Sequence, residues 1–321
     1  MKKIMITGCA GFIGFHLSQF YLKKNFKIVG IDNINNYYDQ KLKKDRIKIL
    51  NKLGKKNFIF CKKDLRNKSA LENIFKKYKI KEIFHLAAQA GVRHSLKKPE
   101  DYISNNINGY LNILEFSRKY KIKKIFYAST SSVYGLNRSS NISEFSDTNK
   151  PIQFYAVTKK TNELMSYAYN KLYNLDLVGL RFFTIYGPWG RPDMALFKFT
   201  KNILEHKKID VHNFGKHSRN FTYIDDAIRA IDAIYRNNDK KFDIYNIASP
   251  KSVELKDYIK KIENCLGIKS IQNKLPLQKG DVEKVSANIF KLKKIYKTKK
   301  ITNVDIGIKK FIDWYRKYYN V

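Results

Sequence analysis

Lys2-Lys3-Ile4-Met5-Ile6-Thr7-Gly8-Cys9-Ala10-Gly11-Phe12-Ile13-Gly14 opens the chain and decides its architecture. The apolar run ending at Thr7 reads as a short buried strand, and the glycines follow it at once. Phe12, Phe15, Leu17, Phe20 and Tyr21 then recur at helical spacing as far as Lys24. A strand, a Gly-x-x-Gly-x-x-Gly turn and a helix make a cradle for a pyrophosphate. The glycines permit the tight turn and let backbone amides at the helix start approach the anion. Lys27 to Asp32 is the second strand, and it ends in an acid about twenty residues beyond the glycines, where dinucleotide sites place one. A carboxylate there accepts from both hydroxyls of an adenosine ribose and repels a 2′-phosphate, so NAD is expected rather than NADP.

Outward from that unit the alternation continues. Asn57 to Cys61 is a strand, followed by Asp64-Leu65 where an adenine would lie; Leu71 to Tyr78 is a helix and Glu82 to Leu86 a strand. Ala87-Ala88-Gln89-Ala90-Gly91 is a turn of small residues that lets a cofactor lie against backbone. Asp101 to Tyr120 is helical, and Lys124 to Ser129 is a strand leading into Thr130. Strands alternating with helices predict a doubly wound parallel α/β sheet, the Rossmann arrangement, with right-handed crossovers. Ligands of such sheets sit beyond the carboxyl ends of the strands, where Gly8, Asp32, Asp64, Ala87 and Thr130 all fall.

Thr130 opens onto Ser131-Ser132-Val133-Tyr134-Gly135, and Tyr155 and Lys159 follow on a long helical segment. A tyrosine and a lysine four apart share one helix face. The ammonium favours the phenolate, bringing the tyrosine down from its reference value near ~10 towards that of a usable base. Tyr-x-x-x-Lys also starts at Tyr37, Tyr120, Tyr167 and Tyr296. Those are read as surface pairs; Tyr155 differs in following a Pro-containing loop after the strand that ends at Thr130.

Leu177 to Phe182 is one more strand, and beyond it Gly187, Pro188, Gly190 and Pro192 break the rhythm. Two lobes around one cleft are expected: a dinucleotide-binding domain over 1–180, completed by segments around 215–248, and a smaller mixed α/β substrate lobe over 181–321. Phe311, Trp314, Tyr315 and Tyr318 form an apolar helical stripe read as core. No run reaches the roughly 18 apolar residues of a membrane span, and a strand that runs straight into Gly8 leaves no room for a signal peptide. Three dispersed cysteines imply reduced thiols in a cytoplasm, and the six histidines show no metal spacing. The net charge of +36 comes from lysine, with eleven arginines, scattered along the chain. That is the pattern of a solvated surface drifted in composition rather than a localised basic stripe, so no specific nucleic-acid partner is expected.

Together these residues resemble the extended short-chain dehydrogenase/reductases that act on nucleotide sugars, over nearly the whole chain. Within that group the similarity is to UDP-glucuronate 4-epimerases, carried by Asp32-Asn33-Ile34-Asn35-Asn36-Tyr37-Tyr38-Asp39, by His85 to Arg93, and by Arg181-Phe182-Phe183-Thr184 through Met194-Ala195. Galactose-type epimerases carry Asn-Pro where this chain has Thr184-Ile185. The resemblance implies Thr130, Tyr155 and Lys159 as the catalytic trio. It implies Gly8, Gly11, Phe12, Ile13, Gly14, Asp32, Asn33, Asp64, Leu65, Leu86, Ala87, Ala88, Asn105, Tyr155, Lys159 and Phe183 around NAD. Arg219 and Asp281 would serve the UDP half of the substrate, and a homodimer is implied. Cys9 replaces a usual alanine, Asn288 stands where Asp is common, and Gln278 falls where galactose-type epimerases put an arginine.

The chemistry implied is transient oxidation at carbon 4 of the sugar, with Tyr155 as base and Thr130 as relay. A glucuronate oxidised there becomes a β-keto acid, so its carboxylate must be gripped out of alignment with the ketone. Ser131, Ser132 and Thr184 are the expected donors, with Arg93 and Arg191 as charged supports. A 4,6-dehydratase needs an Asp-Glu pair after the threonine, and a UDP-glucuronate decarboxylase a Glu before Val-Tyr-Gly. Ser131 and Ser132 hold those places and cannot act as acids at neutral pH. UDP-glucose or UDP-N-acetylglucosamine 4-epimerisation is the nearest alternative. A non-catalytic NAD- or nucleic-acid-binding module has no use for the complete trio.

Overall fold

The computed structural model describes residues 2–136, 141–278, 281–283, 285–296 and 301–321. It forms two compact units: Met1–Gly135 with Thr148–Arg181 and Asn238–Tyr245, and Leu136–Asp147 with Phe182–Asn237 and Asn246–Val321.

The first unit is built on β1 (Lys3–Thr7), β2 (Lys27–Asp32), β3 (Phe58–Lys62), β4 (Glu82–His85), β5 (Lys124–Thr130) and β6 (Asp176–Phe182). With the strand Phe242–Ile247 they form a seven-stranded sheet in the order Phe242–Ile247, β6, β5, β4, β1, β2, β3. Neighbours from β3 to β5 run parallel. Register puts Val29, Met5, Ile83 and Ile125 in one row across four strands, and all four lie in the same buried cluster with Leu71, Phe75, Tyr110 and Leu114 from the covering helices. Strands buried on both faces need continuous apolar runs, which is what the sequence shows.

The helices are α1 (Phe12–Lys23), α2 (Gln40–Gly54), α3 (Lys68–Tyr78), α4 (Val92–Lys97), α5 (Pro99–Tyr102), α6 (Gly109–Lys119) and α7 (Phe154–Tyr173). Asn67 caps α3 by accepting from the Ala70 N–H, and Asn174 in the left-handed region ends α7. The single helix expected from Asp101 to Tyr120 is instead α5 and α6 joined by a π-turn over Ile103–Asn108. Asn106 lies inside this turn and is bonded to neighbouring segments. The side chain accepts from the Gln89 N–H at 2.7 Å and donates to the Gln89 carbonyl at 3.0 Å, while its own carbonyl accepts from Asn162 at 2.8 Å. Such turns concentrate at functional sites.

The second unit pairs Thr184–Tyr186 with Phe221–Tyr223 and Ile209–His212 with Gln272–Leu275 in parallel, and Ser218–Arg219 with Val253–Glu254 antiparallel. Helices Ala195–Leu204, Ile224–Asn237, Leu255–Leu266, Phe290–Ile295 and Val304–Tyr319 surround these short pairs. Phe221 stacks on Tyr258 with centroids 3.8 Å apart, and Phe197, Phe311 and Tyr315 pack together, as the C-terminal stripe predicted. Among the described residues no helix is long and apolar enough to cross a membrane.

Candidate active site

The glycine cradle is enforced by contact. Gly8 has φ +71°, and a Cβ on it would lie 2.8 Å from the backbone nitrogen of Ala87; one on Gly14 would lie 2.1 Å from the Gly8 carbonyl oxygen. Gly11 differs. A Cβ there meets only the Gly8 carbonyl group, at 3.0 Å for its oxygen, and otherwise open space. Gly11 also supplies no side-chain cap to α1, so the Phe12, Ile13 and Gly14 amides at the helix start have no intrahelical acceptor. Two glycines are thus required by packing, while the third leaves room for an anion at a helix N-terminus.

Asp32 stands at the end of β2. Its carboxylate accepts from the Ala10 N–H at 3.1 Å and the Ile34 N–H at 2.8 Å, and burial pushes its pKa up against those bonds and the nearby Lys43 and Arg46 charges. Arg46, fully buried, donates to the Ala10 carbonyl at 2.7 Å and so ties α2 to the glycine loop. Asn33 donates to Asp64 at 2.9 Å, and the Arg66 guanidinium binds both Asp64 oxygens and holds that carboxyl well below the usual range. The Leu65 carbonyl accepts from Asn112. Leu86 and Ala87, with Ala88 next, are held to β1 by N–H bonds to the Thr7 carbonyl and hydroxyl, each 3.2 Å. Asn105 donates to the Asp101 carbonyl at 2.7 Å. The open glycine loop, the bare helix start and the acid at the end of β2 fit a dinucleotide.

The residues expected to do acid–base work come from one strand end and one helix. Thr130 closes β5, and its hydroxyl accepts from the Ser132 N–H at 3.2 Å, starting the 3-10 turn Ser131–Tyr134 on which Ser131 and Ser132 sit. Tyr155 lies in the first turn of α7. Its N–H donates to the Ser95 hydroxyl at 3.2 Å, and its ring meets the edge of Tyr102, whose hydroxyl is fixed by the Ala90 and Gly91 carbonyls. Lys159, one turn on, is 1% exposed and donates to the Ala128 carbonyl at 3.0 Å; burial lowers its pKa to about 7. His85 beneath it is kept neutral, its pKa lowered to about 3 by burial and then by the lysine charge. Such a set can take a proton from a hydroxyl and return it.

Sequence reading missed Asn106, Ser95 and Tyr102, which bond or pack against α7 beside Tyr155. Their signal was faint: Asn106 is one of two adjacent asparagines in an otherwise helical run.

The second unit carries the remaining predicted residues. The Phe183 N–H donates to the Ile247 carbonyl at 3.1 Å, and Thr184 begins the strand paired with Phe221. Arg191 makes a two-point pair with Asp193. Arg219 clasps the Ser218, Val282 and Glu283 carbonyls, and Asp281 lies close enough to oppose the lowering of its pKa by burial. Lys279 and Gly280, which lead into Asp281, lie outside the described residues. Asn288 accepts from the Phe290 N–H at 2.7 Å ahead of a helix, a task Asp performs equally well. Arg93, on α4 of the first unit, is exposed. Among the described residues no group of His, Cys, Asp and Glu could hold a metal.

Comparison with known proteins places the fold in a family. The model of the NAD dependent epimerase/dehydratase family matches residues 4–248. Protein CapI of Staphylococcus aureus is 44% identical over 334 aligned positions, covering 99% of each chain. UDP-glucuronate 4-epimerase 4 of Arabidopsis thaliana is 37% identical, covering 99% of this chain and 76% of that protein. Among solved structures, UDP-glucuronic acid 4-epimerase from Bacillus cereus, crystallised with UDP-glucuronic acid and NAD, superposes with a TM-score of 0.92 at 34% identity, covering 99% of this chain and all of that one. With its glycine cradle, strand-end acid and Tyr155–Lys159 helix, the chain belongs to the NAD dependent epimerase/dehydratase family.

Proposed function

We propose that the chain is an NAD-dependent 4-epimerase that interconverts UDP-glucuronate and UDP-galacturonate. The observation that carries this is the full-length likeness to the B. cereus UDP-glucuronic acid 4-epimerase. The intact trio on β5 and α7 supports it.

Phe12, Ile13 and Gly14 amides receive the cofactor pyrophosphate, Asp32 and Asn33 its adenosine ribose, and Asp64 and Leu65 its adenine. Leu86, Ala87, Ala88, Asn105 and Phe183 line the remainder. NAD, when bound, supplies the acceptor and then the donor of hydride at carbon 4 of the sugar. Tyr155 takes the proton of the 4-hydroxyl through or beside Thr130, and the ammonium of Lys159 favours its phenolate. After the keto sugar turns over, Tyr155 returns the proton, so no net acid or base is consumed. Arg219 and Asp281 serve the UDP half. Ser131, Ser132 and Thr184 hold the carboxylate, with Arg93 and Arg191 in support.

One feature favours a second reading. Arg191 already has its charge met by Asp193, which suits a neutral hydroxymethyl group and hence UDP-glucose or UDP-N-acetylglucosamine. Incubation with all three UDP-sugars and separation of the products decides between them. Conversion of UDP-glucuronate is expected, and conversion of only the neutral sugars would overturn the uronate assignment.

A homodimer completes the proposal. Val157 and Leu164 on α7, with Ile103 and Leu111 on the helical run beside it, are exposed apolar side chains. Tyr110 on α6 bonds Ser166 on α7 at 2.7 Å, so the two helices form one packed pair to set against its copy. Three free cysteines suit a reducing cytoplasm.

A further inference from the structure

The spacing that sets Lys159 one turn after Tyr155 continues to a third residue, Glu163, which is an acid with only 3% of its side chain exposed. Glu163 accepts from the Ser129 hydroxyl at 2.6 Å. Both its oxygens are bound by Arg181 on β6, Oε1 from Nε at 2.8 Å and Oε2 from Nη2 at 2.9 Å. The remaining arm of Arg181 donates to the Tyr134 hydroxyl at 2.8 Å, and its guanidinium lies 4.8 Å from the centroid of the Tyr134 ring. One buried ion pair therefore touches α7, the residue before Thr130, and the last residue of the turn that holds Ser131 and Ser132. The Lys159 bond to Ala128 fastens the neighbouring position of the same strand.

A buried pair is a poor source of stability, since two apolar side chains of like volume commonly serve as well. Its distinctive contribution is direction: a two-point arginine–carboxylate contact fixes both distance and plane. We propose that Glu163 and Arg181 are positioning residues for the acid–base chemistry, setting Tyr155 on α7 against Thr130 and the serine turn. The inference rests on the epimerase reading for its substrate but not for its geometry.

The test compares Glu163→Gln with the apolar double variant Glu163→Leu/Arg181→Met. Each is measured for thermal midpoint, bound nucleotide, kcat and KM on UDP-glucuronate, and for the phenolate ultraviolet titration assigned to Tyr155 by its loss in Tyr155→Phe. A misplacement of about 1 Å costs on the order of a hundredfold, so both variants are expected to lose roughly tenfold to hundredfold in kcat with KM within about threefold. The double variant should keep its midpoint and nucleotide while its phenolate titration moves upward. A stable double variant with wild-type kcat and an unmoved titration overturns the proposal, because the pair would then only fill space. Should the double variant fail to fold, Ser129→Ala and Tyr134→Phe remove single hydroxyls at the edge of the network. Each is expected to lower kcat several-fold without altering KM, and full activity in both overturns the proposal. Wild-type protein that converts no UDP-sugar defeats the epimerase reading instead, and the titration still reports on the positioning.

Discussion

The Lys159 ammonium donates to the Ala128 carbonyl across 3.0 Å inside the protein, binding the helix that carries Tyr155 in its first turn to the strand that ends at Thr130. The charge proposed to activate the tyrosine is thus held where water cannot stabilise it. Burial lowers the lysine to about 7, against ~10.4 in an unfolded chain. Between those values the unfolded state binds the extra proton, so this group's penalty is full below about pH 7 and is relieved as pH rises towards ~10. Lys159→Met has no such penalty. Denaturant unfolding of nucleotide-free protein at pH 7 and pH 9.5 should show the variant's advantage shrinking by a few kcal/mol at the higher pH; an advantage independent of pH would mean the lysine is not strained.

Tyr155→Phe should separate chemistry from binding. The substitution removes one oxygen and leaves both the backbone bond to Ser95 and the edge contact with Tyr102 available. Turnover should fall by about 10²–10⁴-fold, the usual worth of a positioned acid–base group. Calorimetric titration with NAD should give an unchanged affinity, and near-normal turnover would remove Tyr155 from the mechanism.

Gly14→Ala should empty the cradle. The new methyl would sit 2.1 Å from the Gly8 carbonyl oxygen, a contact only loop movement relieves. The purified variant is expected to carry no nucleotide and to gain no thermal shift from added NAD. Gly267→Ala is the control: it meets nothing within 4 Å and bears only the strain of φ +72°, about 1–2 kcal/mol, so its nucleotide binding should be normal.

How much of this was legible before the fold depended on whether a residue's job leaves a local signature. Gly8, Gly11, Gly14 and Asp32 do, because a turn, an open approach and a strand-end acid each demand a residue type at a fixed spacing. The strand positions followed from apolar runs for the same reason. Asn106 and Ser95 left little, since each acts on a partner distant in sequence: Gln89 for the first, Tyr155 for the second. The helix α2 was hidden for another reason. Its buried face includes Lys43 and Arg46 beside Leu42, Ile47 and Leu50, so charge interrupts the apolar period there. Arg46 is inside because it holds the Ala10 carbonyl, a demand of the glycine loop rather than of the helix.

Leu164→Glu should yield a monomer. Leu164 is 58% exposed on α7, while Lys159, Asn162 and Glu163 are buried on that helix, so the change leaves the helix's inward contacts intact. In the proposed dimer, a carboxylate on the apolar face of the helix pair and its symmetry mate would repel and lose water together. Sedimentation equilibrium should show the wild type as a dimer and the variant at half that mass. A wild type that sediments as a monomer ends the dimer proposal.

The uronate assignment turns on Ser132 and Thr184. If Ser131, Ser132 and Thr184 hold the sugar carboxylate, removing one donor should act on two observables at once. A hydrogen bond to a charged group is worth roughly 1.5–3 kcal/mol, so Ser132→Ala or Thr184→Val should weaken UDP-glucuronate by about tenfold to a hundredfold. UDP-glucose, with a neutral hydroxymethyl group in that place, should be affected less. Ser132→Ala keeps the backbone N–H on the Thr130 hydroxyl but loses the Oγ that accepts from that hydroxyl at 3.3 Å, so Thr184→Val, which leaves Thr130 untouched, is the cleaner of the two tests. The second observable is chemical. A carboxylate released from its donors lets the sugar ring flex until the C5–C6 bond lies along the π system of the 4-ketone; the β-keto acid then loses carbon dioxide to an enol, which regains a proton and takes back the hydride at carbon 4. Mass analysis of the products should then show a UDP-pentose beside the epimer, lighter by that loss. If neither variant discriminates between the two sugars and no pentose forms, the serine turn does not hold the carboxylate. Any uronate preference would then belong to Arg93 or to Arg191, and the pairing of Arg191 with Asp193 would be the next contact to break.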